Sequence, residues 1–260
     1  MTDPVVRKRP ELASIARKIE RFIIKYVSTS TANGLVIGLS GGLDSSVVLK
    51  LAVNALGPEK VFGLILPTSA TPDPDITDAI DFANELGVRH KVIKLEPLIE
   101  MYIQALPENK RARGNLSARV RMNLLYYHAA LEGYLVAGTS DKSEKQVGFF
   151  TKYGDGAADL LPIADLYKTQ VRELASYLKI PAAIIEKKSS PRLWKNHLAE
   201  EELGLSYEKL DPILELLVER KKSSKEVARK LGVSISDVLR VKEMIDKTAH
   251  KRKPIPFAKL

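Results

Sequence analysis

The stretch Gly38-Leu39-Ser40-Gly41-Gly42-Leu43-Asp44-Ser45-Ser46 constrains this chain more than any other, because of what flanks it. Before it runs the apolar Leu35-Val36-Ile37, as a short buried strand reads. After it, Val47, Val48, Leu51, Ala52 and Ala55 recur at helical spacing. A glycine-rich turn from strand to helix lets backbone amides converge on an anion at the positive end of the helix. Asp44 and Ser45 then stand where a carboxylate can hold a magnesium ion and a hydroxyl can bond phosphate. A plain tight turn capped by Asp44 or Ser45 accounts for two adjacent glycines but not for the whole string. It is not a Walker loop, since no lysine follows the glycines.

The rest of the chain supplies the sheet such a loop needs. An amphipathic helix is predicted over 11–28, from Leu12, Ile15, Ala16, Ile19, Phe22, Ile23 and Tyr26. Strands are predicted at 61–66, 90–95 and 134–138, with helices at 75–86, 97–105 and 115–131 between them. This alternation gives an α/β fold, a parallel sheet flanked by helices, over about 34–180. A mainly helical part follows over about 181–260, and the whole of 1–260 reads as a single domain. Ligands of open parallel sheets lie at the carboxyl ends of the strands. The polar segments 40–46, 67–75 and 139–144 should therefore converge in space.

Composition narrows the chemistry. The chain has 260 residues, 45% of them hydrophobic, and no apolar run near the ~20 residues of a membrane span. No signal-peptide pattern precedes the first helix, so a cytoplasmic enzyme without membrane contact is expected. There is no cysteine, which excludes thiolate metal sites and any cysteine nucleophile or persulfide carrier. The net charge of +9 is concentrated at the end: residues 220–260 hold 13 Lys and Arg against four Asp and Glu. Such a segment suits nucleic acid, an anionic substrate or a solvated helical face.

A second motif, Gly138-Thr139-Ser140-Asp141-Lys142-Ser143-Glu144, leaves a predicted strand end. Gly148-Phe149-Phe150-Thr151-Lys152-Tyr153-Gly154-Asp155-Gly156 follows, then Asp159 and Pro162. Two adjacent phenylalanines make a freely solvated loop improbable and favour a functional one. Asn115, Arg119 and Asn123 fall at i, i+4 and i+8, a polar stripe on which Arg119 could fork a phosphate or carboxylate.

The Ser-Gly-Gly-x-Asp-Ser loop resembles that of the N-type ATP pyrophosphatases, which cleave ATP to AMP and pyrophosphate. The Phe-Phe-Thr-Lys-Tyr-Gly-Asp-Gly string resembles the NAD synthetase family within that group, in its ammonia-dependent form. The likeness runs from about residue 37 to residue 254. It implies the adenine-nucleotide alpha-hydrolase-like fold and amidation of deamido-NAD through an adenylated intermediate, with ATP as co-substrate and Mg2+. Carried over by position, Gly38, Leu39, Ser40, Gly41, Gly42, Leu43, Asp44 and Ser45 form the ATP loop. Thr139, Lys168 and Ser190 are further ATP contacts, and Asp44 and Glu144 the metal ligands. Arg119, Lys152, Asp159, His250 and Lys251 form the deamido-NAD site, with Asp44, Lys152 and Asp159 in catalytic roles. The family commonly has threonine in place of Ser190 and Asp-His in place of Ser140-Asp141. A homodimer is expected from the apolar stripes on 11–28 and 115–131, with the dinucleotide, by resemblance, at the subunit interface.

Two other readings stand beside this one. The loop alone also fits a GMP synthetase subunit. Residues 224–245 read as helix, glycine turn, Ser234 cap and second helix, which resembles a helix-turn-helix DNA reader. Asp237, Glu243 and Asp246 on the second helix favour an ordinary helical hairpin, so nucleic acid is not the expected partner.

Overall fold

Leu35 and Ile37 turn to one side of the central strand and Val36 to the other, and all three are fully buried. This double burial is why the segment is apolar throughout. The computed structural model describes residues 9–259. Four parallel strands, β1 (Leu35–Gly38), β2 (Val61–Ile65), β3 (Arg89–Val92) and β4 (Leu135–Ala137), form one sheet in the order β3-β2-β1-β4. The strand expected at 90–95 ends regular pairing at Val92. Its backbone nevertheless still follows β2, with Ile93 N donating to Ile65 O and Leu95 N to Pro67 O, both at 2.9 Å.

Helices cover both faces. On one side α1 (Arg9–Thr29), α2 (Leu43–Leu56), α3 (Asp73–Glu85) and α7 (Lys168–Tyr177) bury Ile23, Leu51, Phe82 and Leu174 with Leu35 and Ile37. On the other, α4 (Glu96–Ile103) and α5 (Lys110–Glu132) bury Ile99, Val120 and Ala129 against Val36. The short α6 (Lys142–Val147) follows β4, and α8 (Ala182–Ile185) and α9 (Ala199–Leu203) lead into the helical C-terminal part. There α10 (Tyr207–Leu214), α11 (Ser224–Leu231) and α12 (Ile235–Lys247) share a second core that includes Leu210, Leu214, Val227, Val238 and Val241. The 224–245 segment is thus a helical hairpin that buries Val227, Val238 and Val241 in this core, while Ile235 and Leu239 stay exposed. Among the described residues no helix is long and apolar enough to cross a membrane. The expected unit 1–260 includes residues 1–8 and 260, which lie outside the described residues.

The order β3-β2-β1-β4 places the topological switch between β1 and β4. The chain leaves these two strands in opposite directions across the sheet, which opens a crevice at their carboxyl ends.

Candidate active site

The Ser-Gly-Gly turn occupies that crevice. Leu39 and Leu43 are buried and anchor it, and Leu39 N donates to Leu64 O at 2.8 Å. Gly41 has φ +70°, and a Cβ there would stand 1.9 Å from the Asp75 carbonyl oxygen, so only glycine fits. No side chain caps α2 at Gly42. Instead the Ser45 and Ser46 hydroxyls donate to Gly42 O at 3.1 and 2.9 Å, and Ser40 Oγ lies 3.0 Å from Ser45 Oγ. The capped-turn alternative is therefore corrected: the serines brace the loop and leave the helix N-terminus uncapped by any side chain.

Beside the loop stands a cage of charge. Lys168, at the start of α7 and 0% exposed, places Nζ 2.6 Å from Asp44 Oδ2, 3.0 Å from Asp141 Oδ2 and 3.0 Å from Glu144 Oε1. Its ammonium also lies 5.3 Å from the centre of the Tyr207 ring. Burial works against the lysine's charge, but Asp141, Asp44 and Glu144 outweigh it and hold the pKa well above the ordinary value. Burial pushes Glu144 well above the carboxylate range, and it pushes Asp141 up to about 6 against the pull of Lys168. Asp44 Oδ1 is buried without a hydrogen-bond partner.

These donors fit a magnesium ion. Among the described residues no three acidic or histidine side chains are arranged to hold a metal ion by themselves. Magnesium needs less, since one or two carboxylates plus substrate phosphates and water complete its shell. Asp44 and Glu144 already converge on a cation, the lysine ammonium, and the orphaned Asp44 oxygen gives a free ligand atom.

The cage opens into a cavity of about 700 Å³. Its wall includes Ser40, Asp44 and Ser45, then Pro67, Thr71 and Asp75, then Thr139, Ser140 and Glu144, so the three polar segments do converge. A strap over residues 187–199 closes one side. Lys187 donates to Gly41 O at 2.8 Å and pairs with Asp75 at 2.9 Å, and Arg192 grips the same carboxylate at 2.9 Å. Ser190 lines the cavity, and its hydroxyl donates to the His197 carbonyl. His197 stacks on Trp194 and bonds Glu202, which also holds Arg111 at 2.8 Å.

A family model described as NAD synthase matches residues 15–255. The NH3-dependent NAD+ synthetase of Hyperthermus butylicus is 52% identical, covering 92% of this chain and 87% of that protein. That of Archaeoglobus fulgidus is 46% identical, covering 95% and 96%. The chain belongs to the NAD synthase family. Among solved structures, an NH3-dependent NAD synthetase from Campylobacter jejuni is similar with a TM-score of 0.83 and 32% identity, covering 95% of this chain and 99% of that one. An NMN synthetase from Francisella tularensis is similar with a TM-score of 0.85 and 33% identity, covering 96% and 99%. Membership sets aside the GMP synthetase and DNA-reader alternatives.

The residues that the NAD synthetase likeness points to are not all brought together. Gly38, Leu39, Ser40, Asp44, Ser45, Thr139, Glu144, Ser190 and Lys251 line the cavity, and Lys168 stands behind it in the cage. Arg119 is exposed on α5 and outside the lining. Asp159 is also outside it: its Oδ2 accepts from Val136 N at 2.7 Å and its Oδ1 from Tyr126 at 3.3 Å. Lys152 donates to His250 O at 3.2 Å, and His250 itself is exposed. Lys251 reaches the Gly148 and Phe150 carbonyls at 2.7 and 2.6 Å, tying the basic tail to the aromatic loop.

Sequence reasoning missed Asp141, Arg121 and all of the strap except Ser190. Arg121 lines the cavity and donates from Nε to Leu66 O at 3.1 Å. The signal was available in Asn115, Ala118, Met122 and Leu125, whose helical spacing marks the face of α5 that lines the cavity. The polar stripe shares Asn115 with that face and leaves it at Arg119 and Asn123.

Proposed function

We infer that this protein is an ammonia-dependent NAD synthetase that uses ATP to convert the nicotinate carboxylate of deamido-NAD into the amide of NAD. The observation that carries the reading is the braced Ser-Gly-Gly turn beside the Lys168 cage, with both at one cavity and the Phe149–Phe150 loop in its wall. A free carboxylate is a poor acyl donor, so it must first be activated. Its oxygen attacks the α-phosphorus of ATP, and pyrophosphate leaves with the bonding electrons. Ammonia then attacks the acyl carbon, and AMP departs.

The loop amides, the Ser40 and Ser45 hydroxyls and Lys168 hold the leaving pyrophosphate, where charge develops in the transition state. Asp44 and Glu144 hold Mg2+, which when bound neutralises phosphate charge. Thr139 and Ser190 contact ATP along the wall. Arg119, Lys152, Asp159, His250 and Lys251 receive deamido-NAD, with Lys152 offsetting charge and Asp159 orienting ammonia or the pyridine ring. Arg119 and His250 face outward, which supports a substrate that reaches them across a homodimer interface. Phe22 and Ile24 on α1 and Tyr127 and Leu131 on α5 are exposed apolar side chains suited to that interface. ATP-consuming chemistry without cysteine fits a cytoplasmic location.

The test mixes the protein with ATP, magnesium, deamido-NAD and ammonium. NAD, AMP and pyrophosphate in equal amounts are expected; ADP and phosphate, or no NAD, would overturn the reading. The Francisella neighbour favours one alternative acceptor, the mononucleotide nicotinate. Run in competition, a clear preference for it would move the assignment to that substrate.

A further inference from the structure

Helix α10 stands behind the cage and contributes nothing to the cavity wall, yet Asp211 on it is a carboxylate only 4% exposed. Its neighbours Leu210, Ile213 and Leu214 are fully buried and apolar, so packing alone would favour an apolar side chain here. A buried carboxylate is costly unless donors satisfy it. Asp211 Oδ1 accepts from Ser143 Oγ at 2.5 Å, and Oδ2 accepts from Thr169 N and Thr169 Oγ1, each at 2.9 Å. Ser143 Oγ in turn accepts from Lys168 N at 2.9 Å.

The donors decide the matter. Ser143 immediately precedes Glu144 on α6, and Thr169 immediately follows Lys168 on α7. One carboxylate from the C-terminal core therefore ties together the chain positions that launch the cage's lysine and one of its acids. We propose that Asp211 is the positioning residue of the cage, setting the separation of Lys168 and Glu144 and so the place where divalent cation and polyphosphate are held. This rests on the function inferred above.

The experiment compares the intact protein with Asp211→Asn and Ser143→Ala. Asparagine keeps the volume but puts an amide N–H where one of two donor groups needs an acceptor. Serine removal leaves the Thr169 clamp in place. Steady-state kinetics are measured alongside Mn2+ binding, by paramagnetic resonance, in the presence of an ATP analogue that cannot be cleaved between its α- and β-phosphates. For Asp211→Asn we expect kcat and Mn2+ affinity each to fall about tenfold or more, with KM for deamido-NAD within about twofold. Ser143→Ala should show the same pattern at smaller amplitude, and it carries the test if Asp211→Asn does not fold. A lower melting temperature with kcat and Mn2+ affinity unchanged would overturn the proposal, leaving Asp211 as a helix tie alone. A wild-type protein that makes no NAD would strike the inferred reaction instead, and the Mn2+ comparison would still decide the role of Asp211.

Discussion

In the cage the charged side chains hold one another; those proposed for deamido-NAD hold backbone or face outward. Lys168, Asp44, Asp141 and Glu144 form a closed set of ion pairs within a single chain, braced from behind by Asp211. The residues assigned to deamido-NAD are spread out by comparison. Lys251 and Lys152 bond carbonyls, Asp159 bonds a strand amide, and Arg119 and His250 face outward. The difference teaches where the preorganisation lies. Charge that must be in place before pyrophosphate leaves is fixed by the fold, whereas the acceptor end is left for a substrate, and we propose a second subunit, to complete.

If that contrast is real, the largest effect belongs to the closed end. Asp44→Ala should lower kcat by roughly a thousandfold, as loss of a preorganised charge-stabilising group does. Thermal melting should fall far less than kcat, because Asp141 and Glu144 still hold Lys168. A large fall in melting temperature with kcat retained would break the comparison. Lys168→Met comes next and should be costly to stability as well as rate. It leaves three carboxylates facing one another without a cation, and removing one partner of a buried pair costs about 3–5 kcal/mol. Denaturant unfolding measures this, and adding Asp141→Asn to the same chain should recover part of the loss.

The open end should respond differently. Tyr127→Glu with Leu131→Glu should shift sedimentation to a monomer and raise KM for deamido-NAD more than KM for ATP. A fully active monomer would remove the subunit-interface reading. Smaller still, Arg119→Ala should raise KM for deamido-NAD by about tenfold, the equivalent of 1.4 kcal/mol. KM for ATP should stay unchanged. His250→Ala, at an exposed position, should change it by no more than about twofold.

How much of this was legible in the sequence follows from the range of each interaction. The strands, their flanking helices and the convergence of 40–46, 67–75 and 139–144 are consequences of apolar periodicity and sheet topology, both of which are written locally. The cage was half legible. Asp44 was read from the loop's own chemistry and Glu144 and Lys168 from family likeness, but nothing local shows that Asp141 also meets Lys168. Asp211 was invisible for the same reason: its partners lie 68 and 42 positions away. On α5 the predicted stripe and the cavity-lining face differ by an angle. The stripe through Arg119 was selected for polarity, and polarity alone does not say which face meets a cavity that is itself polar.

The bonds from Lys251 to the carbonyls of Gly148 and Phe150 span 103 and 101 positions. Because a chain grows from its N-terminus, the Ser-Gly-Gly turn emerges early, the cage can close once residue 211 is out, and the aromatic loop gains its lysine strut only after residue 251. The cavity is therefore built from its Ser-Gly-Gly end toward its aromatic loop. A nascent or C-terminally clipped chain is left with its nucleotide machinery built and its acceptor wall unsupported.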